Sequence, residues 1–384
     1  MKKAAAITLM TITAAMVMTG CGEAKKAQTG EMMSDNREER EEVGDSQKSQ
    51  AFQKSQASQE NSQTVAWTSE VSKLEEGLLA VRYDGDYGFE AFLEQGGASS
   101  DGEVIRFLTQ NVFLGAKDVS FETGSFGCST LSVMGDEGGY LFGRNFDWNS
   151  CQAMVVGSKP EKGYASVSTV NVDFIRQGGG LGGLALGSDQ ILTIAALYAP
   201  LDGMNDQGLC VSVNMIQDSS AINQNTEKPD ITTTTAVRLL LNHAADVEEA
   251  LELLQKYDLH GSMGMMVHFA IADAKGNSVA VEYIDNQMTV TRTPVVTNFY
   301  LAEGEKQGIG TSQSHERYDI LMERLGEQET MTEEDVRDAL NRVSKDNFGE
   351  FESTEWSIVF DQGAKTARYY HREDYENSYL FAIE

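Results

Sequence analysis

Basic residues, cysteines, histidines and long hydrophobic runs are all scarce in this chain, and each shortage removes a class of protein. Lysine and arginine number 30 against 59 aspartates and glutamates, for a formal net charge of −29 over 384 residues. So acidic a surface argues against nucleic acid as a partner and against direct adhesion to anionic lipid. The apolar run AAAITLMTITAAMVM after Lys2 and Lys3 is too short for a comfortable transmembrane helix. There are four cysteines; Cys21 closes the N-terminal leader, and the remaining Cys128, Cys151 and Cys210 are an odd number. No disulfide framework accounts for all three. Of five histidines, His268 lies within an alternating strand pattern and reads as a core or edge residue. No second ligand stands at a useful spacing from it, so a metal site is not expected. The glycine cluster RQGGGLGGLALGSDQ lacks the spacing and the Lys-Ser/Thr of a phosphate loop. It reads as a mobile loop near a substrate mouth or as a plain surface turn.

The N-terminus speaks of compartment. A positive start, a short apolar run and Met18-Thr19-Gly20-Cys21 resemble the signal peptide and lipobox of bacterial lipoproteins, residues 1–21. That resemblance implies a lipid on Cys21 and a protein held outside the cytoplasmic membrane. An ordinary secretory leader with an incidental cysteine is the alternative. Residues 22–66 are rich in Gln, Ser, Glu and Lys and poor in large apolar side chains, the composition of a disordered tether. A folded region is expected from Trp67, and residues 67–127 are apolar enough to pack as a propeptide-like segment on the region C-terminal to them.

The most informative stretch runs from Gly127 to Trp148 (GCSTLSVMGDEGGYLFGRNFDW). STLSVM and YLFGR read as short strands, and GDEGG is the turn between them. A hairpin folds its ends together, which brings Cys128 beside Arg144. A guanidinium lowers a neighbouring thiol's pKa and makes it a better nucleophile. Asp147 stands where it holds an amine or the arginine by a charge-assisted hydrogen bond. On these residues alone, a small core thiol beside a surface ion pair is the favoured description.

The stretch resembles the start of the mature chain in the choloylglycine hydrolase superfamily, the N-terminal-nucleophile hydrolases that include bile salt hydrolases, penicillin V acylases and acid ceramidase. The pattern there is a cysteine followed by Ser or Thr, a hairpin, then Gly-Arg-Asn-apolar-Asp-aromatic. Here it stands as Cys128-Ser129-Thr130 and Gly143-Arg144-Asn145-Phe146-Asp147-Trp148. The resemblance implies an α+β fold: a four-layer αββα sandwich of two stacked antiparallel sheets, covering residues 128–384. It implies that Cys128 is the nucleophile, that its own α-amine (pKa roughly 7.7–8.0) is the general base, and that Asp147 orients that amine. Because Gly127 precedes the cysteine, it also implies self-cleavage of Gly127–Cys128.

Later blocks resemble the family in the same order. Asp202-Gly203-Met204-Asn205-Asp206-Gln207-Gly208-Leu209 runs into the strand Cys210–Asn214, which places an oxyanion donor at Asn214, with Asn205 as the alternative. Val296-Thr297-Asn298 matches the element whose asparagine donates to the tetrahedral oxyanion, a contribution of about 2.7–4 kcal/mol in the barrier. Ser314-His315-Glu316-Arg317 matches the last active-site arginine, Arg317. Between them, Thr232–Asn242 and the capped Asp246–Leu254 stretch read as scaffold helices. MVVGSK and YASVSTVNVDF read as strands, and the chain ends in a hairpin over Thr354–Phe360 and Thr366–Tyr370.

The resemblance therefore implies a hydrolase of linear amides, acting on a small N-acyl amide through a thioester and needing no metal or organic cofactor. An acyltransferase built on the same site, and a surface lipoprotein that binds acyl-amides without turning them over, are the alternatives. Acyl and amine preferences and oligomeric state are not legible in the sequence.

Overall fold

The computed structural model describes residues 61–112, 127–177, 189–346 and 352–384. The leader, Cys21, the tether up to residue 60 and the glycines of 178–188 lie outside them.

The early strands are β1 (Asn61–Thr64), β2 (Ser72–Glu75) and β3 (Leu78–Asp84), followed by helices α1 (Phe89–Glu94) and α2 (Asp101–Phe107). The central hairpin is β4 (Gly127–Gly135) and β5 (Tyr140–Trp148), with Cys128 opposite Phe146 and Thr130 opposite Arg144. Its turn needs glycine: Gly138 and Gly139 have φ of 91° and 80°, the left-handed region that a side chain disfavours. Next come β6 (Ala153–Lys159), β7 (Ser166–Asn171), α3 (Val172–Gln177), α4 (Asp189–Leu197), β8 (Asp202–Asn205) and β9 (Cys210–Met215). The expected strand through VNVDF thus stops at Asn171. The Asn171 side chain accepts from the Asp173 amide at 2.9 Å and turns the chain into a helix.

The rest is β10 (Asp230–Thr232), α5 (Thr233–His243), α6 (Val247–Leu254), β11 (Asp258–His260), β12 (Val267–Ala272), β13 (Ser278–Ile284), β14 (Gln287–Arg292) and β15 (Val295–Val296). It ends with α7 (Ser312–Glu327), β16 (Thr330–Met331), α8 (Glu333–Arg342), β17 (Ser353–Asp361), β18 (Thr366–His371) and β19 (Asn377–Ala382).

These strands build two large sheets. The first runs β1-β19-β18-β17-β5-β4-β15, with β16 also on β4; the second runs β14-β13-β12-β9-β8-β7-β6-β3-β2. Within them pairing is antiparallel except for β1 on β19, β16 on β4 and β3 on β6, while β10 and β11 form a small parallel sheet of their own. β1 corrects the tether boundary: residues 61–64 pair with Asn377–Leu380 before Trp67 is reached. Strand alternation supplies the layers. Cys128, Phe142, Phe146, Met204, Cys210, Ala270 and Trp356 point between the sheets into one buried cluster. Val211, Val213, Phe269 and Ile271 point the other way, against α5 and the aromatic rings of Phe92 and Tyr198. Leu131, Leu141 and Val359 meet Leu321, Val336 and Leu340 of α7 and α8. Helices therefore cover both outer faces, the expected αββα order. Of the segment before Cys128, residues 61–112 are part of this body: β3 is hydrogen-bonded along its length to β6, and Phe89, Phe92 and Phe107 gather around Tyr198.

Candidate active site

Cys128 is the second residue of β4 and its side chain is buried between the sheets. Its backbone N–H donates to Asn298 Oδ1 at 2.7 Å, and Sγ lies 3.8 Å from the Val213 carbonyl. Burial pushes the thiol above its ordinary pKa; Arg144 and Arg317 oppose that rise, Asp147 adds to it, and the Met215 N–H points at the sulfur and opposes it. Arg144 lowers the thiol's pKa, as its place in the hairpin suggests, but burial in the uncut chain outweighs it. Arg144 is itself held from several sides. Its Nε donates to Asp202 Oδ2 at 2.6 Å, both side chains fully buried, and Trp356 Nε1 donates to the same oxygen at 3.0 Å. Arg144 Nη1 donates to Ser212 Oγ, to the Val213 carbonyl at 3.2 Å and to Asn214 Oδ1 at 3.0 Å. The hairpin brings Cys128 and Arg144 together at Val213, where the guanidinium both pairs with Asp202 and lowers the thiol's pKa against the larger effect of burial.

Asp147 sits near the end of the hairpin's second strand, opposite Gly127. Its Oδ1 accepts from Thr354 Oγ1 at 2.7 Å, while its buried Oδ2 has no hydrogen-bond partner among the described residues. Two cations stand back from that oxygen, Arg317 Nη1 at 3.6 Å and Lys345 Nζ at 3.9 Å. Gly127 lies against the same atoms. A Cβ there would be 2.5 Å from Asp147 Oδ2 and 2.7 Å from Lys345 Nζ, so only glycine fits without moving them.

Arg317, on the first turns of α7, reaches through the sheet face to the Cys128 carbonyl and Ser129 Oγ, both at 2.6 Å, and to Asn298 Oδ1 at 2.7 Å. Asn298 is in place but faces differently from the expectation. Its Oδ1 receives Cys128 N–H and Arg317, and its Nδ2 donates to the Met215 carbonyl at 2.7 Å. Asn214 departs further. Strand parity turns its amide toward Arg144, and its Nδ2 donates to the carbonyls of Val296 (3.2 Å) and Thr297 (3.4 Å), leaving no donor for an oxyanion. The alternative, Asn205, is a turn residue. Its Nδ2 closes the end of α5 on Leu241 and Ala244, and its Oδ1 accepts from Gln207 and Leu209. A backbone donor does act on the thiol: the N–H of Met215, one residue beyond Asn214, holds its pKa down.

Asp202 and Lys345 are not singled out by the sequence. An isolated acid opening the apolar strand DGMN has to find a buried cation, which is a usable signal for Asp202. Lys345 carries none, because its place beside Gly127 depends on a contact across 218 residues. An apolar cleft of about 570 Å³, its open mouth included, lies between α2, α3 and the Ser262–Gly264 turn. Val104, Ile105 and Leu108 form one wall, and Phe174 and Met263 the other. Phe174 sets its edge against Trp148, with centroids 5.1 Å apart, and both Phe174 and Met263 also pack on the cluster that contains Cys128.

Residues 128–299 match the family model of linear amide C-N hydrolases, choloylglycine hydrolase family. Among solved structures, a mutant conjugated bile acid hydrolase from Clostridium perfringens is similar at 17% identity and a TM-score of 0.49, covering 64% of this chain and 89% of that one. Penicillin V acylase from Agrobacterium tumefaciens is similar at 20% identity and a TM-score of 0.46, covering 64% and 83%. Comparison with curated proteins gives no match.

Proposed function

We propose, from the match of residues 128–299 to the family model of linear amide C-N hydrolases, choloylglycine hydrolase family, that this protein is an amidase with an N-terminal cysteine nucleophile that it exposes itself. The observation that carries the reading is the unpaired Asp147 Oδ2, buried against Gly127 with its nearest cations 3.6 and 3.9 Å away. A buried carboxylate oxygen with no partner is costly. A new ammonium group on the Cys128 nitrogen gives it one.

Self-cleavage starts with Cys128 Sγ adding to the Gly127 carbonyl carbon. The amide nitrogen takes the thiol's proton, the C–N bond breaks, and the acyl group rests on sulfur as a thioester. Water then attacks the thioester, leaving a carboxylate on Gly127 and a free thiol and α-amine on Cys128. In turnover, the α-amine takes the proton from Sγ as the sulfur attacks the substrate's amide carbon. It returns that proton to the leaving amine, and a water activated by the same amine cleaves the acyl-thioester. Asp147 holds the ammonium form, Asn298 Oδ1 and Arg317 fix the amine's direction, and the Met215 N–H faces the developing oxyanion. Arg144, neutralised by Asp202, serves the site by fixing the Val213 carbonyl and Asn214. The apolar cleft favours an uncharged, hydrophobic acyl group.

An acyl-enzyme is the species that tests the reading. A chromogenic N-acyl amide with a hydrophobic acyl group should add the acyl mass to the Cys128 peptide in a quenched reaction, and hydroxylamine should remove it. An amide consumed with no label on Cys128 would remove the thioester mechanism. The same site acting on an amine in place of water is an acyltransferase, and product analysis with added glycine separates the two. For location, we propose a lipid on Cys21 holding the protein on the outer face of the membrane. Metabolic labelling with palmitate should mark the wild type and not Cys21→Ser.

A further inference from the structure

Resting on the amidase reading above, we propose that the buried pair His268–Glu282 is a positioning device that fixes Asn298, and through it the Cys128 amine. His268 on β12 is directly opposite Asn214 on β9, and its side chain and that of Glu282 are fully buried. The ring makes two contacts: Nδ1 with Glu282 Oε1 at 3.1 Å and Nε2 with the Thr297 carbonyl at 2.8 Å. A carbonyl only accepts, so Nε2 carries a proton. Glu282 Oε1 also accepts from Leu301 N–H at 2.9 Å, and Oε2 accepts from Ala302 N–H at 2.6 Å. Burial pushes Glu282 up, but His268 and these two N–H groups outweigh it and hold the carboxyl below its ordinary range. Nδ1 and Glu282 Oε1 are held together in a pair closed off from water.

The grips of this pair land on both sides of one short segment. His268 holds residue 297, Glu282 holds residues 301 and 302, and between them lies Asn298, whose Oδ1 takes the Cys128 N–H. Asn214 Nδ2 adds a second donor on the Thr297 carbonyl, and Thr297 Oγ1 donates to Ser314 on α7. Pairing with β4 stops short of Asn298, because β15 ends at Val296, and on the far side the backbone is paired through the bridge of Phe299 with Gly310. A displacement of about 1 Å at Asn298 misdirects the nitrogen that is scissile amide in the precursor and general base in the mature protein.

The test uses the full chain as wild type, His268→Gln and the double variant His268→Gln/Glu282→Gln. A glutamine at 268 can still donate to Thr297, but its oxygen faces the Glu282 carboxylate and is pushed away. With glutamine at both positions the contact is complementary again. For His268→Gln we expect scission of Gly127–Cys128 and kcat on an N-acyl amide to fall at least tenfold with KM within twofold. The double variant should recover both rates to within threefold of wild type. If His268→Gln does not fold, the double variant carries the comparison. A folded His268→Gln, or the folded double variant in its absence, with rates respectively equal to wild type or down more than tenfold, would overturn the inference. So would losses that track only the unfolded fraction. An uncut, inactive wild type removes the amidase reading and this inference together. A cut, active wild type with an indifferent His268→Gln removes the inference alone.

Discussion

On the side of Cys128 that faces the second sheet, Arg144 meets Asp202 at 2.6 Å and its charge is neutralised in contact. On the side that faces α7, Asp147 has two cations near it, yet neither closes to hydrogen-bond distance and its Oδ2 is unpaired. Both sides are buried, and both combine an arginine with an aspartate. The first is a closed contact, although Arg144 Nη2 and Asp202 Oδ1 keep no partner among the described residues. The second has room, in charge and in space, for one more positive group, and the backbone nitrogen that scission would make positive there is that of Cys128. A buried ion pair is not by itself a sign of catalysis; each aspartate keeps one unpaired oxygen, and what separates the two is that an arginine closes on Asp202 at 2.6 Å while no cation comes nearer to Asp147 than 3.6 Å.

That contrast breaks most sharply on the Asp147 side. Asp147→Asn removes the carboxylate that would hold the ammonium, and amide turnover should fall about 10²–10⁴-fold, the span of a lost acid–base function. Thermal unfolding should change little by comparison, and steady-state kinetics beside a melting curve measures both. Asp202→Asn should do the reverse. It leaves Arg144 buried without its counter-charge, at a cost of about 3–5 kcal/mol in stability, read as a lower denaturant midpoint. In whatever protein folds, the unmasked guanidinium should make Cys128 more acidic, so its iodoacetamide reaction shifts to lower pH.

Gly127→Ala sharpens the same comparison with a smaller expected effect. The added methyl must displace Asp147 or Lys345 and costs about 1–3 kcal/mol as overpacking. Scission should slow in a mass-spectrometric time course while the Arg144–Asp202 side is untouched. The smallest effect is in the pH profile of the uncut chain. Burial raises the Cys128 thiol, so thiolate forms later than in an ordinary cysteine. Alkylation in Cys128's uncut form should keep accelerating at pH values where a free cysteine has levelled off. A raised pKa also means the folded state holds its proton where the unfolded thiol has lost it, so this group's contribution to stability declines as pH rises above the unfolded value.

The hairpin is legible because its information is local. Alternating strands, a two-glycine turn and a fixed spacing place Cys128, Arg144 and Asp147 within one supersecondary unit. Asn298 and Arg317 are legible as positions through the resemblance, but not as bonding partners, since what an amide's oxygen and nitrogen face is set by strands far away in sequence. Asn214 shows the limit most clearly. The pattern finds the strand and even the residue beside the key backbone donor, but parity, fixed only by the sheet's neighbours, turns the side chain toward Arg144. Asp202, Lys345 and the His268–Glu282 pair are illegible as partners for the same reason. A charge reads as solvated until the fold buries it opposite its counter-charge.

Whether Cys128 becomes an N-terminus is read directly by intact mass and N-terminal sequencing of the purified full chain beside Cys128→Ala. Two fragments are expected from the wild type, one of them beginning at Cys128, and an uncut Gly127–Cys128 bond in the variant. A folded wild-type chain that keeps this bond intact would deny the thiol its α-amine. The unpaired Asp147 oxygen would then need another explanation, and the protein would be better described as an acyl-amide-binding relative of these enzymes.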